Sequence, residues 1–212
     1  RVGTNSSDSN TIVPSGIQLG SGVKAAAVYR VDTQGDLQQT GNQLDLAITG
    51  QGYFQIELPN GTEAYTRDGS FQLNANGQVV TTDGYVVTPG LVIPKDTTAI
   101  TVKTDGQVFA KVDGNSTPVA VGQVQLATFP NDAGLEATGS NLFLETPASG
   151  VPVTGSPGAL GFGTITQGSL ESSNVNIVSE ITNLIAAQRD YEMNSKVIQS
   201  ADQMLNDINQ MH

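Results

Sequence analysis

DLAITGQGYFQIELPNGTEAYTRDGSFQLNANGQVVTTDGYVVTP, residues 45–89, is a series of short apolar runs cut apart by turn signals. Within it, Phe54, Ile56 and Leu58 alternate with Gln55 and Glu57, the period of a strand with one apolar face. Pro59-Asn60-Gly61, Arg67-Asp68-Gly69, Asn76-Gly77 and Asp83-Gly84 follow at short intervals. Each reads as a tight turn whose Gly or Asn can take positive φ. The pattern predicts a meander of antiparallel strands over residues 44–87.

The same signal continues more loosely toward the C-terminus. Residues 98–103, 107–112 and 122–129 read as strands, with Asp105-Gly106 and Asp113-Gly114 as turns between them. Residues 145–163, ETPASGVPVTGSPGALGFG, are rich in Gly, Pro and Ser and read as a long surface connection. In the other direction, residues 1–42 are polar and weakly patterned, with short β-like pieces such as residues 24–31. They read as an extended arm that leans on another surface. The expected fold class is mainly β: an antiparallel meander or sandwich-like domain with an extended N-terminal arm and a long C-terminal α-helix. That helix need not be ordered in isolation. The expected divisions are an arm at 1–42, a β-rich domain at 43–163, and a connection plus helix at 164–212.

The helix breaks with everything before it. From Val175 to Gln210 no Gly or Pro interrupts the chain, and Asn174 or Asn176 can cap the start by accepting bonds from the first free N–H groups. Ile177, Leu184, Tyr191, Ile198 and Leu205 recur every seven residues. Ile181, Ile185, Val197, Met204 and Ile208 widen this stripe, and Glu192 and Lys196 form a favourable i,i+4 pair. Such a helix spans roughly 50 Å, at about 1.5 Å per residue. A compact β domain is too short to cover all of that stripe, so the stripe calls for helical partners.

Composition narrows the function. Nine Lys and Arg against 20 Asp and Glu give a net charge of -11. A field of that sign repels phosphate backbones, and no basic stripe offsets it, so no nucleic-acid partner is expected. With no cysteine there are no disulfides, thiolate metal sites or cysteine nucleophiles. No apolar run reaches the roughly 20 residues that span a bilayer. The mainly acidic charges of the helix also argue against an anionic membrane surface.

Catalysis finds little to work with. The single histidine is the terminal His212, so no Ser-His-Asp triad or His-based metal site can be assembled. Asp68, Asp83, Asp105 and Asp113 stand singly in Asp-Gly turns, unlike the closely spaced ligands of a calcium loop. The glycines of residues 16–22 lack the lysine and the following helix of a phosphate-binding loop. No cofactor, metal or catalytic site is expected.

Two stretches then carry a resemblance. QGSLESSNVNIVSEITNLIAAQRDYEMNSKVIQSADQML, residues 167–205, resembles the closing segment of the bacterial flagellar rod and hook proteins. In that family a Q-G-x-L-E-x-S-N-V-N stretch leads into a helix with A-Q-R-x-Y-E-x-N and D-x-M-L. Residues 45–89 resemble the family's shared β motif. PSGIQLGSGV, AYTRDGSFQ and YEMNSK together are most similar to subunits of the distal rod.

The resemblance implies a structural subunit, not an enzyme, that polymerises helically with copies of itself into a hollow, rigid drive shaft carrying torque from motor to hook. It implies proximal rod subunits, hook subunits and surrounding basal-body ring proteins as further partners. It also implies a periplasm-spanning location, reached through the flagellar secretion channel. Terminal helices would line the inner tube, with no membrane insertion. Family members begin with a helical A-N-N-L-A-N-type segment; its absence here leads to the expectation of a chain shortened at its N-terminus, the missing helix being the partner of the stripe.

On this reading the assembly interface comprises Asn174, Val175, Asn176, Ile177, Ile181, Leu184, Ile185, Gln188, Arg189, Tyr191, Glu192, Asn194, Ile198, Met204 and Leu205. Apolar members bury against neighbouring helices, while Gln188, Arg189, Glu192 and Asn194 set register. Other readings are a proximal rod or hook subunit, or, in a different class, a secreted β-rich adhesin or binding module with a helical oligomerisation stalk.

Overall fold

The strand Tyr53–Glu57 organises the β region. Phe54 and Ile56 are fully buried on one face, where the Phe71 ring meets Phe54 edge-on at 5.1 Å. The other face is covered as well. Tyr53 and Tyr65 pack there against Phe129, Phe143 and Leu135, and Gln55 is buried beside them. The expected alternation therefore holds for Phe54 and Ile56, but the second face is not in water. Residues from much later in the chain close over it, and a local period cannot reveal that.

This is a computed structural model. It describes the backbone of residues 3–5, 12–14, 31–114 and 117–210, and the side chains of residues 31–114 and 117–204. The expected strand at 24–31 and the glycine-rich stretch 16–22 lie almost wholly outside these residues, as do His212 and the side chains of Leu205 and Ile208. Two units are distinguished, Arg1–Val31 and Asp32–His212. In the first, Gly3–Asn5 and Ile12–Pro14 form an antiparallel pair.

The second unit is mainly β, with antiparallel pairing throughout its described sheets and a single C-terminal helix, Ile177–Gln210. Tyr53–Glu57 pairs with Glu63–Thr66, Val86–Val87 and Leu126–Thr128. Leu142–Leu144 and Glu136–Gly139 extend the sheet beyond Glu63–Thr66. A three-stranded sheet, Thr97–Val102, Gln107–Val112 and Val119–Gln123, stands beside it. Leu46–Thr49 pairs with Thr164–Gln167, and Leu37–Gln39 with Ser169–Glu171. One core of Leu, Ile, Val and Phe side chains, from Leu46 to Ile165, runs under these pieces.

The turns follow the sequence, with one exception. Gly61, Gly77 and Gly84 have φ of +78°, +80° and +89°, the left-handed region that glycine tolerates. Gly69 does not. It is needed for space: a Cβ there would lie 1.7 Å from the Leu46 carbonyl oxygen.

Two sequence-based expectations change. The strand expected at 122–129 is two strands, Val119–Gln123 and Leu126–Thr128, pairing with different sheets. The expected surface connection at 145–163 is built into the fold. Val153–Gly155 pairs with Leu126–Thr128, and Ser149 is fully buried, its hydroxyl donating to the Thr146 carbonyl at 2.9 Å. Composition marked a loop there; tertiary pairing recruited it.

Candidate assembly interface

The helix begins where sequence chemistry permits it. Of the two candidate caps, Asn176 serves: its Oδ1 accepts from Val178 N at 3.0 Å and Ser179 N at 3.2 Å. Glu180 adds a negative charge to the first turn, which favours the positive end of the helix dipole. Thirty-four residues follow without interruption, about 51 Å at 1.5 Å per residue.

Every described side chain of this helix except Ser195 is exposed. Ile177 is 71% exposed, Leu184 58% and Tyr191 78%. Ile181, Ile185, Ile198 and Met204 are exposed too, as are the polar Gln188, Arg189, Glu192 and Asn194. At about 100° per residue, the apolar surface is more than a stripe. Ile185 is turned about 100° from Leu184 onto one flank. Val197 and Met204 each precede a stripe position by one residue, so they turn about 100° onto the opposite flank. The apolar band widens to one side in the first half and to the other in the second.

The helix is joined to the β region by a narrow neck in which incoming and outgoing strands run together. Leu37–Gln39 pairs with Ser169–Glu171, and Ser172 N donates to Asp36 O at 2.8 Å. Asn174 Nδ2 donates to Thr33 O at 2.8 Å and Thr33 Oγ1 at 3.0 Å. Gly35 approaches so closely that a Cβ would lie 1.8 Å from Ser172 O. Asn174, expected at the interface, thus spends its amide inside the neck, whereas Val175 beside it is exposed.

Beneath the neck sits Arg67, in the turn after Glu63–Thr66. Its Nε donates to Glu171 Oε2 at 2.9 Å, and its Nη1 to the carbonyls of Gly50 and Gly52, both at 3.1 Å. Glu171 Oε1 accepts from Gly35 N at 2.9 Å. Gln34 completes the junction, with Nε2 donating to Ile48 O and Oε1 accepting from Gly50 N. Sequence reading missed Arg67, Gln34 and Gly35, since their partners lie up to 136 residues away. The one available signal was an arginine inside a turn of a chain poor in basic residues.

Comparison with known proteins places these parts. Residues 47–110 match the model of the flagellar hook protein FlgE/F/G D1 domain, and residues 166–211 that of the flagellar basal body rod FlgEFG protein C-terminal region. The flagellar basal-body rod protein FlgG of Caulobacter vibrioides is 55% identical over 211 residues, covering 100% of this chain and 80% of that protein. The chain belongs to the flagellar rod and hook family. Among other relatives in this family, FlgG of Buchnera aphidicola from Acyrthosiphon pisum is 48% identical, over 99% of this chain and 80% of its own. The flagellar hook protein FlgE of Escherichia coli is 38% identical over only 69% of this chain and 36% of its own. The first family match falls on the β region and the second covers the outgoing strand of the neck together with the helix, so the rod and hook family is seen here as a β domain and an exposed helix.

Proposed function

We propose that this chain is a structural subunit of the flagellar distal rod, polymerising with copies of itself into a rigid, hollow drive shaft in the basal body. The observation that carries this reading is a helix about 51 Å long whose described apolar side chains are left in water. Burial of a single Leu or Ile side chain is worth about 1.5–3 kcal/mol. A row of them without partners is therefore a strong drive to associate.

The change of flank along the helix says what kind of association fits. A two-stranded coiled coil needs one narrow seam. Here the surface calls for neighbours on both sides, as in a closed layer of helices forming an inner tube. Head-to-tail contacts that do not close on themselves then give a filament. Gln188, Arg189, Glu192 and Asn194 set register between the helices, and the β region lies outside them. Proximal rod subunits, hook subunits and basal-body ring proteins are the neighbours at the ends and sides of such a shaft. Export through the flagellar channel and a span across the periplasm belong to the same reading, and catalysis has no part in it. The relatives named as rod proteins match 90–100% of the chain, which supports rod over hook.

Leu184→Asp in the full-length protein tests this. We expect no rods and no motility in cells relying on the variant, with the β region's thermal unfolding unchanged because Leu184 touches none of its core. Motile cells with normal rods would sink the reading.

A further inference from the structure

We propose that Arg67 is a positioning residue that fixes the direction in which the two strands of the neck leave the β region, and so sets the stiffness of the link to the helix. The inference deepens the rod reading, but its test needs no rod.

The geometry is that of a three-way tie. Arg67 Nη1 is anchored on the carbonyls of Gly50 and Gly52, in the turn between Leu46–Thr49 and Tyr53–Glu57. Its Nε binds one oxygen of Glu171 on the outgoing strand, and the other oxygen of Glu171 holds the backbone N–H of Gly35 on the incoming one. One guanidinium thereby joins the β region to both strands of the neck. The Arg67 and Glu171 side chains are 24% and 13% exposed, so solvent competes only weakly for their bonds.

The tie is placed where it decides direction. The strands Leu37–Gln39 and Ser169–Glu171 are three residues each, and a two-stranded ribbon that short twists easily about its base. Charge-assisted bonds from a planar fork resist that twist because the donors have fixed directions. Lysine would supply the charge without the fork. Glycine at position 35 permits the close approach of backbone that brings its N–H to Glu171. Arg67 also lies over the Tyr53 ring, 6.0 Å from the guanidinium carbon to the ring centroid, so the junction rests on the edge of the smaller apolar cluster.

The chain has no cysteine, so spin labels can be placed at will. Labels on Thr62→Cys with Val175→Cys, and on Thr62→Cys with Asp36→Cys, report the outgoing and incoming strands against the β sheet. Double electron–electron resonance on the full chain should give narrow distance distributions for both pairs. Arg67→Ala should at least double both widths, and Arg67→Lys should give intermediate widths. Far-ultraviolet dichroism, which reports the backbone of the β sheets, should stay unchanged. If Arg67→Ala does not fold, Glu171→Ala decides: it leaves Arg67 on its carbonyls and should broaden both distributions. Unchanged widths in a folded Arg67→Ala, or in Glu171→Ala where that variant decides, would overturn the inference. Failure of Leu184→Asp to block rod assembly would leave it standing.

Discussion

Asp68 shows how a turn carboxylate is occupied by structure. Burial pushes its carboxyl up, but the bonds from Ser70 Oγ, Ser70 N and Asn141 Nδ2 outweigh that and hold it below its ordinary value of 3.8. A carboxylate with a depressed folded pKa adds stability above the unfolded value, and that contribution is lost as pH falls through the folded one. Stability should therefore fall as pH drops below about 4, and Asp68→Asn should flatten that fall. Urea midpoints measured across the acid range check this, and an unchanged pH slope in the variant would refute it.

Gln167 makes a second case at the same scale. Its Oε1 accepts from Val102 N at 3.0 Å, while its Nε2 donates to Gln43 O at 2.7 Å and Ile100 O at 2.9 Å. It links the three-stranded sheet to the strands at the neck. Gln167→Ala should cost about 1–3 kcal/mol in urea unfolding, as backbone groups lose their partner. Residues such as these were only half legible in the sequence. Gln167 lay within the family motif and Asp68 within a turn, yet their partners are set by pairings that no local pattern encodes. The cap at Asn176 was legible because a cap acts within three residues of itself.

Among the elements, those decided by local chemistry were read well. The helix needs only an uninterrupted run and a cap, and Gln107–Val112 needs only alternation between two Asp-Gly turns. The elements decided by distant pairing were not. Val153–Gly155 sits in a Gly, Pro and Ser-rich stretch and becomes a strand only because Leu126–Thr128 offers it an edge. The helix surface was read as a single stripe widened by its neighbours, but its two halves widen in opposite directions. That asymmetry makes a specific prediction for assembly. Ile185→Asp and Val197→Asp, on opposite flanks, should each reduce pelleted polymer at least tenfold. Asn183→Asp, opposite Ile185 in the first half, should leave it within twofold of the parent. Equal tolerance of Ile185→Asp and Val197→Asp would show that only the central seam is buried.

For the whole molecule, the arrangement separates two tasks. The β region folds on buried apolar residues from Leu46 to Ile165 and does not require the helix for its core. The helix is stabilised by its cap and its own backbone bonds. Between them, a short two-stranded neck carries whatever force passes from one to the other, with Arg67 at its base. On the proposed reading, a shaft built from such parts would gain cohesion from the helices and torsional stiffness from the necks.

Electron cryomicroscopy of rods isolated from cells would locate the helix. We expect the helix in an inner tube, with Ile177, Leu184, Tyr191 and Ile198 buried against helices of neighbouring copies and density on both flanks. A helix folded back on its own β region, or left on the outer surface with those side chains in solvent, would contradict it.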